Sequence, residues 1–281
     1  MTEINRNIAR AKELLEKGEV VAIPTETVYG LAGNALNEAT INKIYRVKER
    51  PKSNPLIVHI ASIEQLDTYT KNIPPLARHL AGKFWPGPLT LLLEKKPIIP
   101  NACTSGSPLV AVRIPDHPLT LELLASLNFP LAAPSANPFG YISPTDTIHV
   151  EQQIGNKIPM ILDGGPCKSG LESTIIGFGE NTLFLHRPGF ITEEELRSEL
   201  PPDWNLVAEK QNKQKTPGSH HYHYAPHTPM TLVDNFDLLD LNDITDKVGS
   251  LSQNKKLPGA RVCIILSSDG TLEKAAEALY K

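Results

Sequence analysis

The sequence predicts a mixed α/β protein: a twisted mixed sheet with flanking helices, followed by a small Rossmann-like unit. Three observations carry this. Short apolar runs such as LIVHIA (56–61), LTLLLEK (89–95) and LVAVRI (109–114) alternate with segments of helical periodicity. The later runs MILDGG (160–165), STIIGF (173–178) and TLFLHR (182–187) follow one another closely, which favours a mixed over a purely parallel sheet. Near residue 201 the texture changes to polar residues and prolines with little periodicity.

The elements follow in order. Ile4, Ile8, Ala11 and Leu15 keep helical spacing, and Gly18 stands where that helix would stop. Residues 19–23 form a strand ending at Pro24, and residues 38–48 a helix carrying Ile41, Ile44 and Val47. After the strand at 56–61 comes a helix at 75–84, strands at 89–95 and 109–114, and a helix at 118–127. A strand then enters Pro134. Three further strands lead to a helix at 192–200, whose Glu193 and Glu194 suit the helix dipole. This gives a main domain over 1–200, a linker or lid over 201–229, and a small unit over 230–281. The small unit reads as a TLVD strand, a polar helix near 236–248, a strand at 261–268 and a terminal helix. At about fifty residues it is thin for a core of its own.

Bulk properties narrow the function. The chain has 281 residues and a net charge of −3, whereas proteins that grip nucleic-acid backbones over a wide area are usually basic. Cys103, Cys167 and Cys263 are far apart and form no CxxC pair, so neither a disulfide framework nor a zinc knuckle is expected. No apolar signal region and no run of about 18 apolar residues occurs, so a cytoplasmic protein without membrane contact is expected.

Polar side chains recur where apolar strands end. LAAPSANPFG (131–140) sets Ser135 and Asn137 between Pro134 and Pro138. Alone this reads as a turn. IPTETVYGLAGNA (23–35) crowds Thr25 and Thr27 at a strand end, where ligands of open α/β sheets commonly bind. YRVKERPKSNPLIVHI (45–60) carries Arg46, Lys48 and Arg50 at a helix end. Such charges ordinarily form a solvated face that offsets the dipole. On a turn that enters a buried strand they also suit phosphate or carboxylate. His59 reads by default as a core histidine. Arg113 lies near the end of an apolar strand and needs an anion, either a protein carboxylate or one from a substrate. Ser173 and Arg187 complete a set suited to a small anionic, hydroxylated ligand together with a nucleotide. No Ser-His-Asp set, HExxH or Walker loop is present.

PTETVYGL, KERPKSNPLIVHI, WPGPLTLLL, VAVRIP, APSAN, ESTI and RPG, in this order over roughly residues 10–190, resemble the YrdC-like threonylcarbamoyl-AMP synthases. TPGSHHYHYAPHTP resembles the linker of the two-domain members. The resemblance implies condensation of L-threonine, bicarbonate or CO2 and ATP into threonylcarbamoyl-AMP and pyrophosphate. Downstream transferase proteins would then modify tRNA. It places the catalytic set on Lys48, Arg50, Ser135 and Asn137. The threonine site falls on Thr27, His59, Arg113, Ala133 (through its backbone) and Ser173. The ATP site falls on Arg50, Asn54, Leu109 (through its backbone), Ser135, Ser143, Arg187 and the linker residue His221. Mg²⁺ is implied through the ATP phosphates, with no side-chain ligand, and tRNA contact is implied to be indirect. His220 and Tyr222 stand where relatives tend to carry lysine and arginine, which weakens any phosphate role for the linker. Carbamoyl-transferring relatives carry extra zinc-finger and acylphosphatase modules, for which this chain has neither the cysteines nor the length. The alternative is an RNA-binding module of the same fold without synthase activity.

Overall fold

The computed structural model describes residues 2–208, 231–233, 249–257 and 259–279. The chain opens with β1 (Glu3–Asn5), α1 (Ile8–Glu16), β2 (Val21–Ile23), β3 (Gly30–Asn34) and α2 (Glu38–Lys48). There follow β4 (Ile57–His59), α3 (Leu66–Tyr69), β5 (Thr70–Lys71), α4 (Pro75–Phe84), β6 (Leu89–Lys95) and α5 (Asn101–Thr104). Next come β7 (Leu109–Arg113), α6 (Pro118–Ser126), β8 (Leu131–Ala132), α7 (Thr147–Ile154) and β9 (Met160–Leu162). The main unit closes with β10 (Thr174–Gly179), β11 (Thr182–Arg187), α8 (Glu193–Ser198) and β12 (Asn205–Ala208). Beyond it lie β13 (Gly249–Ser252), β14 (Val262–Ile265) and α9 (Leu272–Ala278).

Twelve strands form one mixed sheet in the order β1-β9-β2-β3-β8-β4-β7-β6-β10-β11-β12, with β5 pairing β6. β4 runs parallel to β7 and antiparallel to β8, and β6 runs parallel to β10 and antiparallel to β7. Successive side chains of a strand point to opposite faces. Ala22 and Ile161 therefore join one apolar cluster, with Ile41 and Ile44 of α2. Val21, Ile23, Met160 and Leu162 join the other, with Leu14 and Leu15 of α1 and Leu123 and Leu124 of α6. With both faces covered, Leu89–Leu93 is buried throughout, so the LTLLL run shows no alternation.

Helix starts follow local chemistry. The Asn7 side chain accepts from Arg10 N–H and caps α1, and Asn37 accepts from Thr40 N–H and caps α2. α4 and α6 begin with Pro75 and Pro118, whose fixed φ suits a first turn. Thr192 and Glu195 form a reciprocal capping box on α8.

Several expected elements need correction. Ile4 is not on the first helix: it lies in β1, paired with Ile161, and the Asn7 cap starts α1 afterwards. Residues 30–34, read as part of a loop, form β3. Residues 205–208, expected to be linker, form β12 and pair in parallel with β11, burying Leu206. Residues 231–233 of the expected TLVD strand carry no regular structure. The expected helix at 236–248 lies outside the described residues, as do 209–230 of the linker, His221 included. β13, which the sequence did not suggest, pairs in parallel with β14.

One close backbone approach sets the edge of the site. A Cβ on Gly189, in the turn after β11, would lie 2.4 Å from the Glu172 carbonyl oxygen and 2.5 Å from the Thr174 nitrogen. No side chain fits between these backbones. Gly189→Ala is expected to cost about 1–3 kcal/mol of stability through backbone displacement, as measured by denaturant unfolding against wild type.

Candidate active site

The strand ends converge on one open cleft lined by polar and charged side chains. Its wall includes Thr25, Thr27, Arg50, His59, Arg113, Ala133, Ser135, Glu172, Ser173 and Arg187. They come from the exits of β2, α2, β4, β7, β8 and β11 and the entry of β10.

The 133–139 loop is stitched to its neighbours by backbone hydrogen bonds. Ala133 N–H donates to the Ile57 carbonyl at 3.0 Å, Leu31 N–H to Pro134 at 2.7 Å, Ala136 N–H to Tyr29 at 2.7 Å, and Phe139 N–H to Lys48 at 2.7 Å. The Lys48 ammonium nitrogen donates to the carbonyls of Ser135 and Asn137. Lys48 is fully buried, and this desolvation, reinforced by Arg50, holds its pKa well below the usual lysine range. Asn137 is also buried, and its amide donates to the carbonyls of Pro138 and Tyr141 at 2.9 and 2.8 Å. Lys48 and Asn137 thus stand behind the cleft wall and fix the loop. Ser135 is on the wall, and among the described residues its hydroxyl makes no hydrogen bond.

Three guanidinium groups face the cleft, each fixed differently. Arg113 Nη2 donates to Glu26 Oε1 and, at 3.0 Å, to Thr27 Oγ1, while Nε donates to the Gly87 carbonyl at 3.1 Å. Side-chain exposure in the Arg113–Glu26 pair is only 4 % and 5 %. Arg187 pairs with Glu172 and donates to the Ser173 carbonyl at 2.7 Å and hydroxyl at 3.0 Å. Arg50 pairs with no carboxylate among the described residues. It donates to the Asn54 carbonyl at 3.0 Å, Asn54 Oδ1 at 2.6 Å and the Pro55 carbonyl at 2.8 Å. Burial lowers its pKa to about 10, so it stays charged at neutral pH. Glu172, already paired with Arg187, acts on Arg50 only through space, so these two arginines share one carboxylate and one net positive charge remains on this side of the cleft.

The remaining expected residues fall close by. Ser143 is buried and donates to Glu172 Oε1 at 2.9 Å, so it reaches the cleft through that carboxylate. Ser173 Oγ shares a 2.8 Å hydrogen bond with Thr90. Leu109 is not on the wall: its N–H is taken by Ser107 Oγ at 3.0 Å, and its side chain packs beside Ile57 and Ala111. His59 lines the cleft with Nδ1 buried and unpartnered among the described residues. Burial, then the charge of Arg113, pushes its pKa down to about 3. The sequence reading missed Glu26 and Glu172. Its need for an anion at Arg113 is met by Glu26, a protein carboxylate. Each of the two glutamates stands beside hydroxyl residues at a strand end, TET and LEST, and that was the available signal.

The buried thiols of Cys103 and Cys167 are each pushed up to about 12, so neither supplies thiolate at neutral pH. Among the described residues no cluster of three His, Cys, Asp or Glu could hold a metal ion. No helix there is long and apolar enough to cross a membrane.

A mixed sheet whose strand ends bring three arginines and several hydroxyls into one cleft defines a binder of small anions with two separable charge environments. Comparison with known proteins makes this specific. The family model of Sua5, YciO and YrdC, described as telomere recombination, matches residues 13–189. A second model, the C-terminal domain of threonylcarbamoyl-AMP synthase, matches residues 191–281. The threonylcarbamoyl-AMP synthase of Bacillus subtilis is 41% identical, over 93% of this chain and 74% of that one. That of Pyrococcus abyssi is 39% identical, over 96% of this chain and 82% of that one. The crystal structure of P. abyssi Sua5 complexed with L-threonine matches with a TM-score of 0.88 at 37% identity, over 99% of this chain and 86% of that one. The chain belongs to the Sua5–YciO–YrdC family.

Two expectations test this geometry. Lys48→Met should cost about 1–3 kcal/mol, because two buried carbonyls lose their donor. Hydrogen exchange should show faster opening at Ala136 and Phe139. The second concerns His59. With a folded pKa of about 3 against 6.5 ordinarily, the unfolded chain binds a proton that the folded protein refuses between those values. Stability contributed by neutral His59 is therefore lost as pH falls from about 6.5 towards 3, and His59→Gln should flatten the slope of unfolding free energy between about pH 7 and pH 5.

Proposed function

We propose that this chain is an L-threonylcarbamoyladenylate synthase, a nucleotidyltransferase that condenses L-threonine, bicarbonate or CO2 and ATP. The products are threonylcarbamoyl-AMP and pyrophosphate, with one water released when bicarbonate is the source of the carbon and none when CO2 is. One observation carries the reading: Arg50 and Ser135 share a wall with Thr27, His59, Arg113 and Ser173, in a chain whose relatives bear this enzyme's name.

The chemistry brings anion against anion. The threonine amine takes up CO2, and the carbamate attacks the α-phosphate. Two such charges about 4 Å apart repel by roughly 4 kcal/mol at an effective dielectric near 20. Arg50, charged and without an ion pair of its own, stands where it offsets that repulsion. Ser135 offers its hydroxyl to the phosphate from a loop that cannot rotate away. Arg113 holds the threonine carboxylate, while Thr27, His59 and Ser173 read the rest of the amino acid. Such a site rejects analogues without a hydroxyl because its own groups would be left unpaired. Lys48 and Asn137 act as positioning residues, Asn54 orients Arg50, and Ser143 acts through Glu172. Catalysis is by positioning and electrostatics, without a covalent enzyme intermediate.

Glu26 and Glu172 are occupied by arginines, so the cleft offers no ready carboxylate pair to a metal, and Mg²⁺ enters this reading only as the partner of the nucleotide phosphates. The adenylate passes to downstream transferase proteins that modify tRNA, in the cytoplasm. The RNA-binding alternative is less favoured, because it leaves Arg113, Ser173 and Ser135 inside a cleft without a task.

Mass spectrometry should detect threonylcarbamoyl-AMP only when threonine, bicarbonate and ATP are all present. Ser135→Ala should keep the wild-type unfolding midpoint and lose about 100-fold or more in turnover, as expected for a preorganised donor. Normal turnover in that variant would refute the role.

A further inference from the structure

Glu26 lies in a stretch of buried hydroxyl residues at the exit of β2, and its side chain is almost wholly removed from water. Both carboxylate oxygens are engaged. Oε1 accepts from Arg113 Nη2, and Oε2 accepts from Asp116 N–H at 3.0 Å. Its backbone carbonyl accepts from Ser169 N–H at 2.7 Å. This one residue therefore ties the β2 exit to the β7 exit and to the 163–170 segment.

The consequence falls on Arg113. Nε is spent on Gly87, and the two Nη2 hydrogens are spent on Glu26 and Thr27. Among the described residues Nη1 donates to nothing, and Arg113 lines the cleft. The fork is held so that Nη1 remains for a ligand, and its charge is already balanced. Arg50, on the same wall, has no carboxylate of its own: it shares Glu172 with Arg187, and one net positive charge remains there. A polyanion is drawn towards unbalanced charge, whereas a zwitterion of zero net charge loses little at a neutral ion pair. Without Glu26 the cleft would offer two guanidinium groups without a carboxylate of their own, and phosphate would compete for both.

We propose that Glu26 is a positioning and specificity-determining residue that reserves Arg113 for the carboxylate of an amino-acid zwitterion and keeps phosphate off it. The inference rests on the synthase reading and adds to it the means by which two anionic ligands are sorted within one cleft.

The test compares the full-length wild type with Glu26→Gln and Glu26→Asp. L-threonine binding is measured by calorimetry, with no chemistry required. Threonine and ATP kinetics follow pyrophosphate release, and inorganic phosphate is the competing anion. In Glu26→Gln the threonine Kd and KM should rise about tenfold or more, with kcat at saturating threonine and the ATP KM within about threefold of wild type. Phosphate, which should not compete with threonine in the wild type, should become a competitive inhibitor. Glu26→Asp should restore part of the threonine affinity and of the phosphate exclusion. Threonine affinity within about twofold of wild type in Glu26→Gln would overturn the proposal, as would a matching loss in the ATP KM. If Glu26→Gln does not fold, a folded Glu26→Asp with wild-type threonine affinity and phosphate insensitivity overturns it equally. A wild type that binds no threonine overturns the synthase reading, and this inference with it.

Discussion

Burying positive charge beside apolar strands is the constraint from which the rest of this site follows. Arg50, Arg113 and Arg187 all leave water for one cleft, and each must be answered there. Arg113 and Arg187 are met by carboxylates, Arg50 only by carbonyl and amide oxygens. Removing one partner of a buried pair commonly costs about 3–5 kcal/mol, because the other charge is left stranded. Glu26 and Glu172 are thus required by the fold before any ligand arrives, and the same pairing decides where net charge remains.

Rigidity is the second requirement, and the sheet supplies it. β8 contributes only Leu131 and Ala132, wedged between β3 and β4. The chain beyond it cannot rely on regular pairing. It is held instead by main-chain bonds to Tyr29, to Leu31 of β3, to Ile57 of β4 and to Lys48 at the end of α2, and by the Lys48 side chain. Two prolines limit what remains. A flexible loop would lose much of an electrostatic contact to its own reorganisation, whereas a fixed hydroxyl loses none.

Much of this was legible in the sequence. The strands at 56–61, 89–95, 109–114, 173–178 and 182–187 announce themselves by apolar runs, and the helices at 38–48, 75–84, 118–127 and 192–200 are legible, whereas α7, capped by Asp146, is not read from the sequence. Nor are β1, β3 and β12. β1 and β12 are edge strands of three and four residues, whose existence depends on a partner far along the chain, and β3 contains two glycines that read as a turn. In the site, Arg50, Arg113, Ser135 and Arg187 were visible because charge or hydroxyl stands out at the end of an apolar run. Glu26 and Glu172 were hidden by the same rule: their meaning lies in arginines 87 and 15 residues away. Leu109 was placed by family likeness, and no local signal bears on it. That Lys48 is buried follows from α2 packing, since the helix carries it onto the buried side.

The enclosure of Lys48 has a chemical corollary. A mixed carboxylic–phosphoric anhydride acylates any unprotonated amine it can reach. A lysine whose proton affinity has been depressed would be the most vulnerable nucleophile in the molecule if it stood in the open. Sealed from solvent, its nitrogen instead donates to two carbonyl oxygens, so this lysine serves to hold the loop rather than to meet water.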